Sequence, residues 1–153
     1  MEYGSIEREI RIDAAPEIVF DVVSDPAHVR QWWPDEASYE AVPGGTGEIA
    51  FTKDGARVPV TFQVVDVVPG RLFSFRWAHP QGQRPTEGNS FLVTFALEPA
   101  DGGTLLRMTE TGFREQGWTA AVIEETYLDH SQGWDHFLPR LAPYVAAYLT
   151  ARR

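Results

Sequence analysis

The chain has 153 residues, 43% apolar and 23% charged, an ordinary globular balance that excludes a disordered, collagenous or low-complexity polypeptide and suits one domain over residues 1–153. It holds no cysteine, which removes disulfides, thiolate metal sites and cysteine nucleophiles. The net charge is −9 and the basic residues, twelve arginines and Lys53, are scattered, so a polyanion-binding face and a nucleic-acid partner are not expected.

Residues 5–13 alternate, with Ile6, Ile10 and Ile12 on one parity and charged residues on the other, which predicts a half-buried antiparallel strand. Pro16 opens a helix with Ile18, Val19, Val22 and Val23 as its apolar stripe. Ser24-Asp25-Pro26 breaks it, and a second short helix over 27–33 ends at Pro34. Strands follow over 37–42 and 48–53, separated by the turn Pro43-Gly44-Gly45-Thr46-Gly47. Asp54-Gly55 is a tight-hairpin signal. The long strand over 57–68 changes phase between Val64 and Val65, which predicts a bulge or sharp bend.

Residues 71–79 place Phe73, Phe75, Trp77 and His79 on one face, and a Pro- and Gly-rich loop follows. Strands over 90–98, with Phe91, Val93, Phe95 and Leu97 on one parity, and 104–113, with Leu106, Met108 and Glu110 together, complete the sheet. The period then changes. Ile123, Tyr127, His130, Trp134, Phe137, Leu141, Val145 and Tyr148 mark one face of a long amphipathic helix, with a kink expected near Pro139. The fold class is therefore α+β: an antiparallel curved sheet of six or seven strands around a long C-terminal helix, with two short helices after the first strand. Such a sheet leaves room for an apolar cavity against the helix.

Three stretches carry a family resemblance. Residues 12–20, Ile-Asp-Ala-Ala-Pro-Glu-Ile-Val-Phe, resemble a strand-to-helix junction; residues 109–113, Thr-Glu-Thr-Gly-Phe, resemble the end of a last strand; residues 133–145, from Gly133-Trp134 through Leu138-Pro139-Arg140-Leu141-Ala142, resemble a final helix. Together they are similar to the START-like (SRPBCC, helix-grip) superfamily, and most of all to the family of homologues of the activator of heat-shock-protein-90 ATPase. Pro139 and Pro143 depart from that helix, and residues 114–129 are longer than its usual lead-in. The resemblance implies three functions. One is binding of a small apolar or aromatic ligand between sheet and helix. Another is a chaperone-interacting, stress-response module; against it, eukaryotic activators carry an additional N-terminal domain. The last is a polyketide-cyclase-like or hydrolase-like enzyme. Fold alone does not choose among them.

The chemistry in the residues favours binding over catalysis. His28, His79, His130 and His136 show no metal-ligand spacing; His130 and His136 lie about 240° apart around a helix. Gly44-Gly45-Thr46-Gly47 leads into a strand rather than the helix a phosphate loop requires. No nucleophile motif occurs, and no metal or cofactor is expected. Glu110 stands out, because its parity points it inward and a buried carboxylate is costly unless paired or protonated. It reads as a polar anchor in a ligand pocket, against a flared strand end or a structural pair with an arginine or Tyr127. His79 reads as a rim residue. The expected ligand-binding set is Glu110, Phe75, Trp77, Phe91, Phe95, Met108 and Trp134. The absence of an apolar run of roughly 18 residues excludes a membrane-spanning helix, and with no apolar leader in residues 1–13 a cytoplasmic location is expected.

Overall fold

The computed structural model describes residues 3–152. Seven strands form one antiparallel sheet: β1 (Ser5–Ile12), β2 (Glu36–Tyr39), β3 (Thr46–Lys53), β4 (Ala56–Val68), β5 (Leu72–Trp77), β6 (Phe91–Ala100) and β7 (Gly103–Thr111). Their order is β1-β7-β6-β5-β4-β3-β2, so every neighbour except the β1–β7 pair is a sequential hairpin. Helices α1 (Pro16–Ser24) and α2 (Pro26–Trp32) connect β1 at one edge to β2 at the other. Helices α3 (Ala120–Phe137) and α4 (Leu141–Ala151) complete the chain.

Alternation decides which face is inside. Along β7, Leu106, Met108 and Glu110 are buried and Arg107 is exposed. Along β6, Phe91, Val93, Phe95 and Leu97 are buried. The phase change in β4 is a bulge: the pairing with β5 slips between Val64 and Val67, and the Asp66 N–H donates to the Ser74 hydroxyl. Asp54 and Gly55 both have positive φ, 52° and 78°, as a two-residue hairpin between right-twisted strands requires.

Some boundaries differ from the sequence reading. β2 stops at Tyr39 rather than 42, and β3 starts at Thr46 rather than 48, because Gly47 is a ladder residue paired with Tyr39. A Cβ at Gly45 would collide with the carbonyl oxygen of Glu40, so this glycine-rich stretch is a close-packed turn. Helix α2 starts one residue earlier, at Pro26, with the Asp25 carboxylate accepting from the Ala27 N–H as its N-cap.

The C-terminal helix begins at Ala120 behind Thr119, whose hydroxyl accepts from the Val122 N–H. At Leu138–Arg140 it tightens into a 3-10 turn carrying Pro139, then continues as α4. A proline cannot donate to the preceding turn, and the local retightening absorbs that loss. Trp134, Leu138, Leu141 and Val145 are the residues this segment buries against the sheet. Among the described residues no helix is long and apolar enough to cross a membrane.

Candidate functional site

Glu110 is fully buried, and its carboxylate is the hub of a polar cluster. The Trp77 indole N–H donates to Oε2 at 2.8 Å and the Trp134 indole N–H to Oε1 at 2.8 Å. His130 Nδ1 lies 3.0 Å from Oε2 and 3.1 Å from Oε1. An ionised carboxylate only accepts, so Nδ1 carries the hydrogen in this contact. Three elements bring the four residues of the cluster together. Trp77 ends β5 and Glu110 lies near the end of β7, both on inward parity, with β6 between them. His130 and Trp134 are four residues apart in α3 and so share a face. Charge-assisted hydrogen bonds of this kind offset the desolvation of a buried carboxylate. Among the described residues no arginine is bonded to Glu110, and Tyr127 instead donates to the Ser5 carbonyl.

The two tryptophans also border an open cavity of about 420 Å³. Its aromatic walls are Trp33, Phe51, Trp77, Trp134 and Phe137. Trp33 sits at their centre: it stacks on Trp134 with ring centroids 5.0 Å apart and meets Trp77 edge-on at 5.2 Å. Helix α2 ends before Pro34, which sets Trp33 at this point. The mouth is formed by two segments. Thr52, Lys53 and Val58 come from the β3–β4 hairpin; Asp129, His130 and Gly133 come from α3. The hairpin overhangs the helix because β5 ends at Trp77, opposite Phe62, while β4 continues outward to Ala56 paired with β3 alone. Pro59 is tolerated in that half, where β4 is an edge strand.

The residues expected at the site are thus distributed over three places. Trp77 and Trp134 line the cavity, and Glu110 lies behind them. Phe75, Phe91, Phe95 and Met108 are buried in the packed interior and do not line the cavity. Phe75 and Phe95 still touch the lining: Phe75 lies 5.6 Å from Trp33 and Phe95 lies 6.3 Å from Trp134, centroid to centroid. Phe91 packs on the His130 ring at 4.7 Å. His79 borders a separate surface recess with Pro59, Val60 and Thr61. Burial lowers the pKa of His79, and its Nδ1 is enclosed without a partner. Sequence reasoning missed Trp33, Phe51, Phe137 and the role of His130. For His130 a signal was present, since it is one helical turn from Trp134. Among the described residues no group of three His, Asp or Glu side chains is arranged to hold a metal ion.

Residues 13–146 match the family model described as "Activator of Hsp90 ATPase homolog 1-like protein". The chain belongs to this family. Its architecture is the helix-grip fold of the START-like superfamily, the fold expected from the sequence. Solved structures similar to this member of the family include protein MLL2253 from Mesorhizobium loti, 23% identical with a TM-score of 0.71, covering 94% of this chain and 97% of that one. The Aha1 dimer from Colwellia psychrerythraea is 22% identical with a TM-score of 0.68, covering 92% and 95%. DynU16, described as a putative protein in the dynemicin biosynthetic locus, is 23% identical with a TM-score of 0.67; the match covers 94% of this chain and 47% of DynU16. At these identities the likeness establishes the fold. No curated protein matches the chain.

Proposed function

We propose that this protein binds a small apolar or aromatic molecule in the cavity between the β3–β4 hairpin and α3. The observation that carries the reading is that an open, mostly aromatic cavity is bordered by the same two indoles that are fixed from behind. Trp77 and Trp134 satisfy their N–H groups on buried Glu110, so their polar atoms are spent inside and the edges that border the cavity are apolar. The volume, about 420 Å³, falls in the range of small-molecule sites, and such sites are apolar with few polar groups. In this reading Trp77 and Trp134 are the contact residues. Glu110 anchors them from behind, and Phe75, Phe91, Phe95 and Met108 hold the wall and the His130 ring from the core.

Thermal denaturation in the presence of a panel of aromatic and fatty molecules tests this. A ligand that binds the folded state at a hundred times its Kd adds about 2.7 kcal/mol of stability. A melting temperature that rises with an aromatic ligand in the wild type, and not in Trp77→Leu, supports the reading. A flat response across the panel sinks it. Contact with a heat-shock-protein-90-type chaperone is a second reading, supported by the family description; stimulation of the chaperone's ATPase by the purified chain is its test.

A further inference from the structure

We propose that His130, oriented by Glu110, is a general base that takes the proton of a phenolic hydroxyl on an aromatic ligand in the cavity. The inference rests on the ligand-binding reading above and adds a chemical class and a proton transfer to it.

The argument begins with the tautomer. Both oxygens of Glu110 receive an indole N–H, and His130 Nδ1 sits within hydrogen-bond distance of both. With one hydrogen on the neutral imidazole, that hydrogen must lie on Nδ1, between the ring and the carboxylate. The lone pair is then on Nε2. Among the described residues, His79 Nδ1 is the only buried side-chain nitrogen or oxygen without a partner. His130 Nε2 has no hydrogen-bond partner among the described residues and is not one of the enclosed atoms, so it is reached from outside. The residue lines the aromatic cavity and its side chain is 14% exposed, which places a basic nitrogen at a largely apolar wall.

The rest of the environment fixes the ring and leaves it as the cavity's most basic uncharged group. The ring is held between Trp77 and Phe91, at 5.4 and 4.7 Å, and against Phe113 at 5.3 Å, so it keeps its orientation. The charged groups that line the same cavity are Asp129 on α3 and Lys53 on β3, both exposed. Glu110 on β7 faces the ring from the interior, and the rings packed against it, Trp77, Phe91 and Phe113, carry no charge.

The step balances without a further reactant. The phenol O–H bond breaks and its proton bonds to Nε2. The electron pair stays on the phenol oxygen as a phenolate. The imidazolium so formed keeps its Nδ1–H on Glu110, whose negative charge stabilises it. A phenol fits better than an aliphatic alcohol, because an imidazole matches it more closely in proton affinity and its ring suits the indole walls. Glu110 does not touch the ligand and is a positioning residue.

The test uses 4-nitrophenol, whose visible absorption reports ionisation, and 4-nitroanisole, which has the same ring but no acidic proton. The buffer is near neutral, where an ordinary imidazole is mostly uncharged, and the phenolate fraction of the bound probe is read against that of the free probe. The expected result is that both raise the melting temperature of the wild type, while bound 4-nitrophenol shows a larger phenolate fraction than free 4-nitrophenol. In His130→Asn the amide nitrogen replaces Nδ1 as the donor to Glu110 and Nε2 is lost. There the ratio of phenolate to phenol in the bound probe should fall at least about tenfold, one unit of differential interaction. Binding of 4-nitroanisole should persist. Glu110→Gln, read at saturating 4-nitrophenol, should lower the phenolate ratio in the same direction. If 4-nitroanisole binds and 4-nitrophenol bound to the wild type shows no larger phenolate fraction than the free probe, the proton transfer is overturned and the cavity reading stands. An undiminished phenolate band in His130→Asn overturns it equally. If neither probe binds, the cavity reading falls and takes this inference with it.

Discussion

Replacing Glu110 by alanine removes the acceptor of three N–H groups at once. The two indole donors belong to buried residues, Trp134 at 2% exposure and Trp77 at 9%, and have no second acceptor among the described residues. A buried donor left unpaired costs about 1–3 kcal/mol, so the pair amounts to about 2–6 kcal/mol. His130 contributes less, since it reaches solvent. Breaking a buried charged network by removing one member gives a similar figure, about 3–5 kcal/mol. The amide of Glu110→Gln keeps one oxygen for an indole and turns its NH2 toward the other, so one donor is orphaned, at about 1–3 kcal/mol. The expected order is therefore wild type above Gln above Ala, read by equilibrium urea denaturation at neutral pH with far-ultraviolet circular dichroism. A Glu110→Ala cost below about 1 kcal/mol would refute the reasoning, because it would mean that the indoles do not depend on this carboxylate.

Trp134→Ala should cost about 3–5 kcal/mol in the same assay, since a large buried ring is deleted from between helix and sheet; a loss under about 1 kcal/mol would place the ring outside the core. Gly112 has φ +115° and a Cβ there would lie 2.7 Å from the Ser90 carbonyl oxygen, so Gly112→Ala should destabilise far more than Gly55→Ala, where φ is +78° but the space is open. Equal losses would contradict this. Tyr39 is buried, its hydroxyl donates to the Ser24 carbonyl at 2.7 Å, and its pKa is raised first by burial and then by Asp25. A folded-state pKa above the unfolded value gives stability that is complete below about pH 10 and lost as pH rises past it. The melting temperature of Tyr39→Phe should thus start lower but fall less steeply above about pH 10 than that of the wild type; parallel curves would contradict this.

Period and parity carried most of the fold. Alternation along β7 placed Glu110 inward with Leu106 and Met108, and the helical repeat placed Trp134 toward the sheet. The β4 bulge followed from the shift in phase at Val64, and the interruption of the final helix from Pro139. The site was less legible, because it depends on quantities that no local pattern contains. Glu110 meets Trp77 only because β7, β6 and β5 are neighbours in the sheet, and it meets His130 only through the rotation of α3 over that sheet. Parity put Phe75, Phe91 and Phe95 on the inner face but could not say where the inner face is filled and where it opens. The opening lies where β5 stops at Trp77 and the β3–β4 hairpin runs on, so Phe51 and Val58 matter for their distance along the hairpin. Trp33 is the residue that follows a seven-residue helix, and nothing in its local sequence shows that it stacks on Trp134.

The central claim is that the cavity walled by Trp33, Trp77 and Trp134 takes an aromatic ligand. The most direct measurement is the set of indole N–H resonances of the 15N-labelled protein, assigned by single Trp→Phe variants and titrated with 4-nitroanisole. The account predicts saturable shifts of the Trp33, Trp77 and Trp134 signals with one common affinity, and an unmoved signal from Trp118, which lies outside the cavity. Shifts confined to Trp118, or no shift in any of the three, would contradict it.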